Sequence, residues 1–185
     1  MEPGDVLLTP NWSFHGHDNR SEIDAYWIDI LDAPLVQLLG PMFFEHHPDK
    51  VEKAERVDPA SPMRFALRDY KPRLLEAPEI APGVRTLELG PPTLDTFDRV
   101  AVALAAGREW QVAQSTANQI FIVVEGEGSS RIGEHGFEWR RGDVIAAPAW
   151  LAQRHRATRD ALLVRMSDAP VMRAFRWLRS GTLPP

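Results

Sequence analysis

A sixteen-residue stretch near the N-terminus, GDVLLTPNWSFHGHDN (Gly4–Asn19), returns far downstream in altered form as GDVIAAPAWLAQRHR (Gly142–Arg156). Gly4 matches Gly142, Asp5 matches Asp143, Pro10 matches Pro148, Trp12 matches Trp150 and His17 matches His155, all at one offset (142 − 4 = 138). Self-similarity at a fixed offset is the mark of a duplicated structural unit. The match continues where IDILDAPLVQLL (Ile28–Leu39) answers VRMSDAPVMRAF (Val164–Phe175), with Asp32-Ala33-Pro34 opposite Asp168-Ala169-Pro170 at an offset of 136, a change one short loop absorbs. Inside the repeat His15 falls opposite Gln153, so the first copy has an imidazole where the second has an amide, a poor metal donor.

Each copy opens as a strand closed by a proline turn. Asp5–Thr9 reads as the first strand, Ser21–Leu31 as a second, and Ala33–Leu39 as a short helix capped by Asp32. From Phe43 to Thr93 eight prolines punctuate a charged segment, with helical windows near Asp49–Arg56 and Tyr70–Glu76, which reads as a linker lying on a domain surface. Beyond Thr96, six short apolar or alternating runs have the spacing of a sandwich or barrel: Arg99–Ala105, Gln119–Val124, Ser129–Ile132, Gly136–Trp139, Asp143–Ala146 and Ala161–Met166. A helix over Val171–Arg179 closes the chain, with Val171, Phe175 and Leu178 on one face.

Composition excludes several classes. No cysteine is present, so disulfides, thiolate catalysis and cysteine-ligated zinc are ruled out. A formal net charge of −5 gives no basic footprint for nucleic acid or an anionic membrane. No leader-like start and no apolar run of membrane-spanning length is found, which makes a cytoplasmic protein the expectation.

With these motifs in place, the chain resembles the cupin superfamily, and within it the gentisate 1,2-dioxygenase group, which includes 1-hydroxy-2-naphthoate and salicylate ring-cleaving enzymes. The resemblance rests on the GD-x-x-x-x-P-x-W-x-x-H-x-H string of Gly4–His17, YWIDILDAPLVQLLG (Tyr26–Gly40), SPMRF (Ser61–Phe65), the run Val123–Trp150 and SDAPV (Ser167–Val171). It implies an all-β, jelly-roll double cupin. Residues 1–42 would be the C-terminal remnant of a first, metal-type cupin, 43–93 a Pro-rich, partly helical linker, and 94–185 a complete second, metal-free cupin.

The same resemblance implies Fe(II) on three histidines of the first cupin, an H-x-H pair on an early strand and a third at the position of His15. It makes His17 a substrate-contacting or proton-handling residue, and Asp29 a polar group near a bound aromatic acid. The H-x-H pair is expected before Met1, so two of the three ligands would be missing and this chain would be an inactive truncation. Ala113, Ser115 and Gln153 stand at the equivalent positions of the second copy. Ring cleavage by O2 asks for a redox metal with open positions at which substrate carboxylate and hydroxyl chelate, and neutral imidazoles suit it. The implied partners are a small aromatic acid and O2, in a homo-oligomer. The alternative is a metal-free cupin that binds a ligand or a partner.

Overall fold

The computed structural model describes residues 1–40, 45–50, 58–91 and 94–181. The chain divides into two compact units, one formed by Met1–Leu7 with Pro62–Pro185 and the other by Leu8–Ser61.

The larger unit is built on two long strands, β7 (Gln119–Ile132) and β10 (Gln153–Ser167), which pair antiparallel along their whole length. Both bend midway, where register shifts separate Ala157, Arg159, Leu162 and Leu163. The motif Glu125-Gly126-Glu127-Gly128 makes that bend possible. Gly126 has φ +87°, and a Cβ there would lie 2.4 Å from the Asp160 carbonyl oxygen, while one on Gly128 would lie 2.1 Å from that of Arg156. Four further strands, β3 (Glu79–Ala81), β4 (Val84–Glu88), β5 (Asp98–Leu104) and β8 (His135–Arg140), complete the order β3-β4-β5-β10-β7-β8. β6 (Glu109–Val112) joins the first half of β10, and β9 (Val144–Ala147) the first half of β7. The sheet thus folds over itself as a jelly roll.

Alternation along the strands sorts side chains to two cores. Val100, Val102 and Leu104 of β5 meet Phe121, Val123, Ile145, Trp110 and Trp139 inside the roll. On the outer face, Ala101, Leu162 and Val164 are covered by Tyr70 and Leu74 of α2 (Leu67–Glu76). Being buried on both faces, β5 reads as a continuous apolar run, RVAVAL, rather than as an alternating one.

The N-terminal segment is clamped to this unit. β1 (Val6–Leu7) pairs with β2 (Arg64–Phe65). The Asp5 carboxylate accepts from Arg64 Nε at 2.8 Å, from the Leu67 amide at 3.1 Å and from the Glu2 amide at 2.8 Å, while Tyr70 Oη donates to the Gly4 carbonyl at 2.7 Å. Burial acts to raise the Asp5 carboxyl, but the two amides and the Arg64 guanidinium outweigh it and hold it below the ordinary carboxylate range.

The duplication is written into the backbone. Gly4 and Gly142 adopt φ +87° and +94°, Trp12 and Trp150 adopt +63° and +64°, and the Asp143 carboxylate accepts from the Arg140 amide at 2.8 Å as Asp5 does from Glu2. Helices α1 (Ala33–Leu39) and α3 (Ala169–Ala174) both follow an aspartate, with φ/ψ of −87°/8° at Asp32 and −83°/14° at Asp168, and both place proline in the first turn.

Several expectations differ from the structure. Residues 21–31 form no strand: β10, their counterpart, draws ladders from β5, β6 and β7, whereas no described strand flanks this stretch. Of Asp5–Thr9 only Val6–Leu7 is strand, and its partner lies within the chain. Gln119–Val124 and Ser129–Ile132 are halves of one strand. β3 and β4, inside the stretch read as linker, belong to the sheet. The closing helix stops at Ala174, because Arg176 turns left-handed at φ +60° and the amides of Trp177 and Leu178 fall back on the Met172 carbonyl. The helical window at Asp49–Arg56 falls largely on residues outside the described set.

Candidate active site

In the smaller unit, the turn at Trp12 leads into Phe14, His15 and His17. The His15 and His17 rings stand edge to face, centroids 5.8 Å apart, and His17 stacks on Trp27 at 4.7 Å with 28° between planes. The chain returns to Trp27 through a loop tied by Asn19, whose side chain accepts from the Ser21 amide at 3.1 Å and donates to the Ile23 carbonyl at 2.8 Å. Phe14 packs edge-on against His47, centroids 4.8 Å apart, and His47 Nδ1 accepts from the Asp49 amide at 3.1 Å. His15, His17 and Asp29 are all exposed. Asp29 lies two residues beyond Trp27 and takes no part in the ring contacts that gather His15, His17 and Trp27.

His47 was missing from the sequence-based site. Its only sequence signal is the dipeptide His46-His47, which reads as a solvated pair; the ring contact that draws it to Phe14 spans more than thirty residues of chain.

Two neighbouring imidazoles do not make a facial ligand set. Among the described residues no group of three or more His, Asp or Glu is placed to hold a metal ion. The residues present therefore do not by themselves fit an iron site.

In the larger unit the second copy turns the same positions inward. Gln153 and His155 are buried on one face of β10. His155 sits between Phe121, 4.5 Å between ring centroids, and Trp110, 5.8 Å, and its Nδ1 lies 2.7 Å from Ser130 Oγ. Burial pushes the His155 imidazole down to about 4, so it is neutral near pH 7. Ala113 is exposed and Ser115 half-buried. The Glu125 carboxylate accepts from Lys71 Nζ of α2 at 2.8 and 2.6 Å. That ion pair borders an open groove of about 680 Å³ lined by Asp5, Leu67, Arg68 and Leu75 among others.

No family model matches the chain. Gentisate 1,2-dioxygenase 1 of Aquipseudomonas alcaligenes is 27% identical over 91% of this chain and 57% of its own length. The gentisate 1,2-dioxygenase of a Streptomyces species is 29% identical over 98% and 61%. Among solved structures, a mutant salicylate 1,2-dioxygenase of Pseudoaminobacter salicylatoxidans in complex with gentisate superposes with a TM-score of 0.88, at 26% identity, over 98% of this chain and 60% of that one.

The chain is similar to the gentisate 1,2-dioxygenases. It spans about 60% of the length of the curated relatives it matches. Its all-β jelly roll is the fold of the cupin dioxygenases, and the likeness covers both the larger unit and the His15 segment. No described helix is long and apolar enough to cross a membrane.

Proposed function

We propose that this chain takes part, in the cytoplasm, in cleavage of a hydroxylated aromatic acid such as gentisate, in which both atoms of O2 enter the product as one ring carbon–carbon bond breaks; Fe(II), which the described residues do not hold by themselves, would need donors beyond His15. The observation that carries the reading is the His15–His17–Trp27 cluster, set on a segment that matches gentisate-type dioxygenases over almost the whole chain.

In this reading His15 is one metal donor. His17, stacked on Trp27, faces the substrate and handles the hydroxyl proton. Asp29 is a polar group toward the substrate's far side. The organisation goes with it: a remnant of a metal-type cupin over 1–42, a linking segment over 43–93, and a second cupin over 94–185 that supports rather than performs the chemistry. The relatives named above are all dioxygenases, which favours catalysis over the alternative of a metal-free binding protein.

Oxygen consumption by the purified chain with excess Fe(II) and gentisate tests the proposal. One O2 consumed per aromatic acid, with at least a tenfold loss on His15→Ala and on His17→Ala, is expected. Saturable binding of the acid without oxygen uptake would return the reading to a binding protein.

A further inference from the structure

The interior of the jelly roll contains a polar line that the fold alone does not need. Trp139 Nε1 donates to Ser130 Oγ at 2.8 Å, and Ser130 Oγ lies 2.7 Å from His155 Nδ1, all three residues buried. Indole N–H is a donor only, so Ser130 accepts from Trp139 and retains its own hydroxyl proton. Giving that proton to His155 Nδ1 satisfies both groups; the opposite tautomer would leave a buried hydroxyl proton without an acceptor. The imidazole proton then sits on Nε2. That atom is buried and has no partner among the described residues, and neither do Gln153 Oε1 and Gln119 Oε1.

Strand alternation turns all three residues toward the interior of the roll. Gln153 and His155 alternate onto the same face of β10, and Gln119 and Phe121 onto the same face of β7. The Phe121 and His155 rings are 4.5 Å apart across the roll. Gln119 and Gln153 each stand one alternation beyond that ring contact, on β7 and β10 respectively. One donor and two acceptors, each lacking a partner, complement one another, yet the protein pairs none of them. Buried polar groups left so are normally bridged by water, which makes about three hydrogen bonds in such sites.

We infer that the larger unit holds an internal water molecule, accepting from His155 Nε2 and donating to the amide oxygens of Gln153 and Gln119, at the place in the second copy that corresponds to His15 in the first. The donor set selects a neutral, water-sized molecule. An anion would meet two amide oxygens, and a metal ion would meet an imidazole whose Nε2 lone pair is taken up by a proton.

A high-resolution crystal structure of the full chain, with nitrogen NMR of the His155 ring, tests this. Expected are density within hydrogen-bond distance of both His155 Nε2 and Gln153 Oε1, and an imidazole protonated on Nε2. Water relaxation dispersion should count one long-lived internal water fewer in Gln153→Leu than in the wild type. Direct pairing of Nε2 with either amide oxygen and no density between them, or a ring protonated on Nδ1, would overturn it. The two wild-type observations decide the matter even if Gln153→Leu does not fold.

Discussion

Gly4 and Gly142 hold the same left-handed backbone in the two copies but meet different surroundings. A Cβ on Gly4 would lie 2.7 Å from Leu67 Cδ2 and 2.8 Å from Val124 Cγ1, whereas one on Gly142 meets nothing within 4 Å. Gly142→Ala is expected to cost about 1 kcal/mol, the strain of a positive φ alone, and Gly4→Ala about 2–4 kcal/mol, because overlap with the clamp is added. Urea denaturation of the two variants checks the ordering; equal losses would contradict it.

His155 supplies a second residue-level prediction. Its folded pKa is about 4 against the ordinary 6.5. Below pH 6.5 the unfolded chain binds a proton that the folded chain refuses, so this residue lowers stability as pH falls from about 6.5 to about 4, by up to about 3 kcal/mol, and contributes no such loss above that window. The rings and hydroxyl packed on it, from Trp110, Phe121 and Ser130, carry no charge that would offset this. His155→Gln, which keeps an acceptor for Ser130, should flatten the pH dependence of the denaturation midpoint across the window. An unchanged slope would show that His155 titrates normally.

At the scale of elements, the clamp of β1 depends on one buried ion pair. The Asp5 side chain is 2% exposed and its partner Arg64 17%, at 2.7 Å. Arg64→Ala strands a buried carboxylate and should cost about 3 kcal/mol while exposing the amides of residues 5–8 to rapid hydrogen exchange. Protection of those amides as in the wild type would show that Asp5 does not anchor the segment. The Asp5 carboxyl is held low in the folded state, so its contribution is present above about pH 4 and lost as pH falls further.

These elements also show what the sequence made legible. The duplicated GD-x-x-x-x-P-x-W frame foretold matching turns, and Asp32-Ala33-Pro34 foretold the start of α1, because both depend on local backbone chemistry; the closing helix, read from Val171, begins at Ala169. The first half of β10 was hidden because its inward residues are Gln153, His155 and Ala157, so no apolar alternation marks it. Residues 21–31 misled for the opposite reason: Ile23, Tyr26, Trp27 and Ile28 look like a strand, but strands exist only where a neighbour completes the ladder. His15 and His17 were legible from the repeat, while the stacking of His17 on Trp27 was not, since it depends on the path of an irregular loop.

For the molecule as a whole, the smaller unit leaves much apolar surface open: Trp12 is 83% exposed, Tyr26 91%, Ile23 76% and Leu38 86%. Faces of this kind are association surfaces. Light scattering on the purified chain should report a mass that rises with concentration above the 20.8 kDa of one copy; a monodisperse monomer throughout would show that these side chains need no cover. Iron should behave accordingly. With an imidazole pair and no third donor among the described residues, retention after desalting should fall well below one equivalent per chain, and stoichiometric iron would reveal a ligand set that His15 and His17 do not account for.

Isotope labelling tests the proposed oxygen-dependent ring cleavage most directly. The chain, supplied with excess Fe(II) and gentisate under labelled O2, is analysed for product by mass spectrometry. A ring-opened acid carrying both labelled oxygen atoms is expected, and its formation should fall with His15→Ala. Gentisate recovered intact, or a product without label, would contradict it.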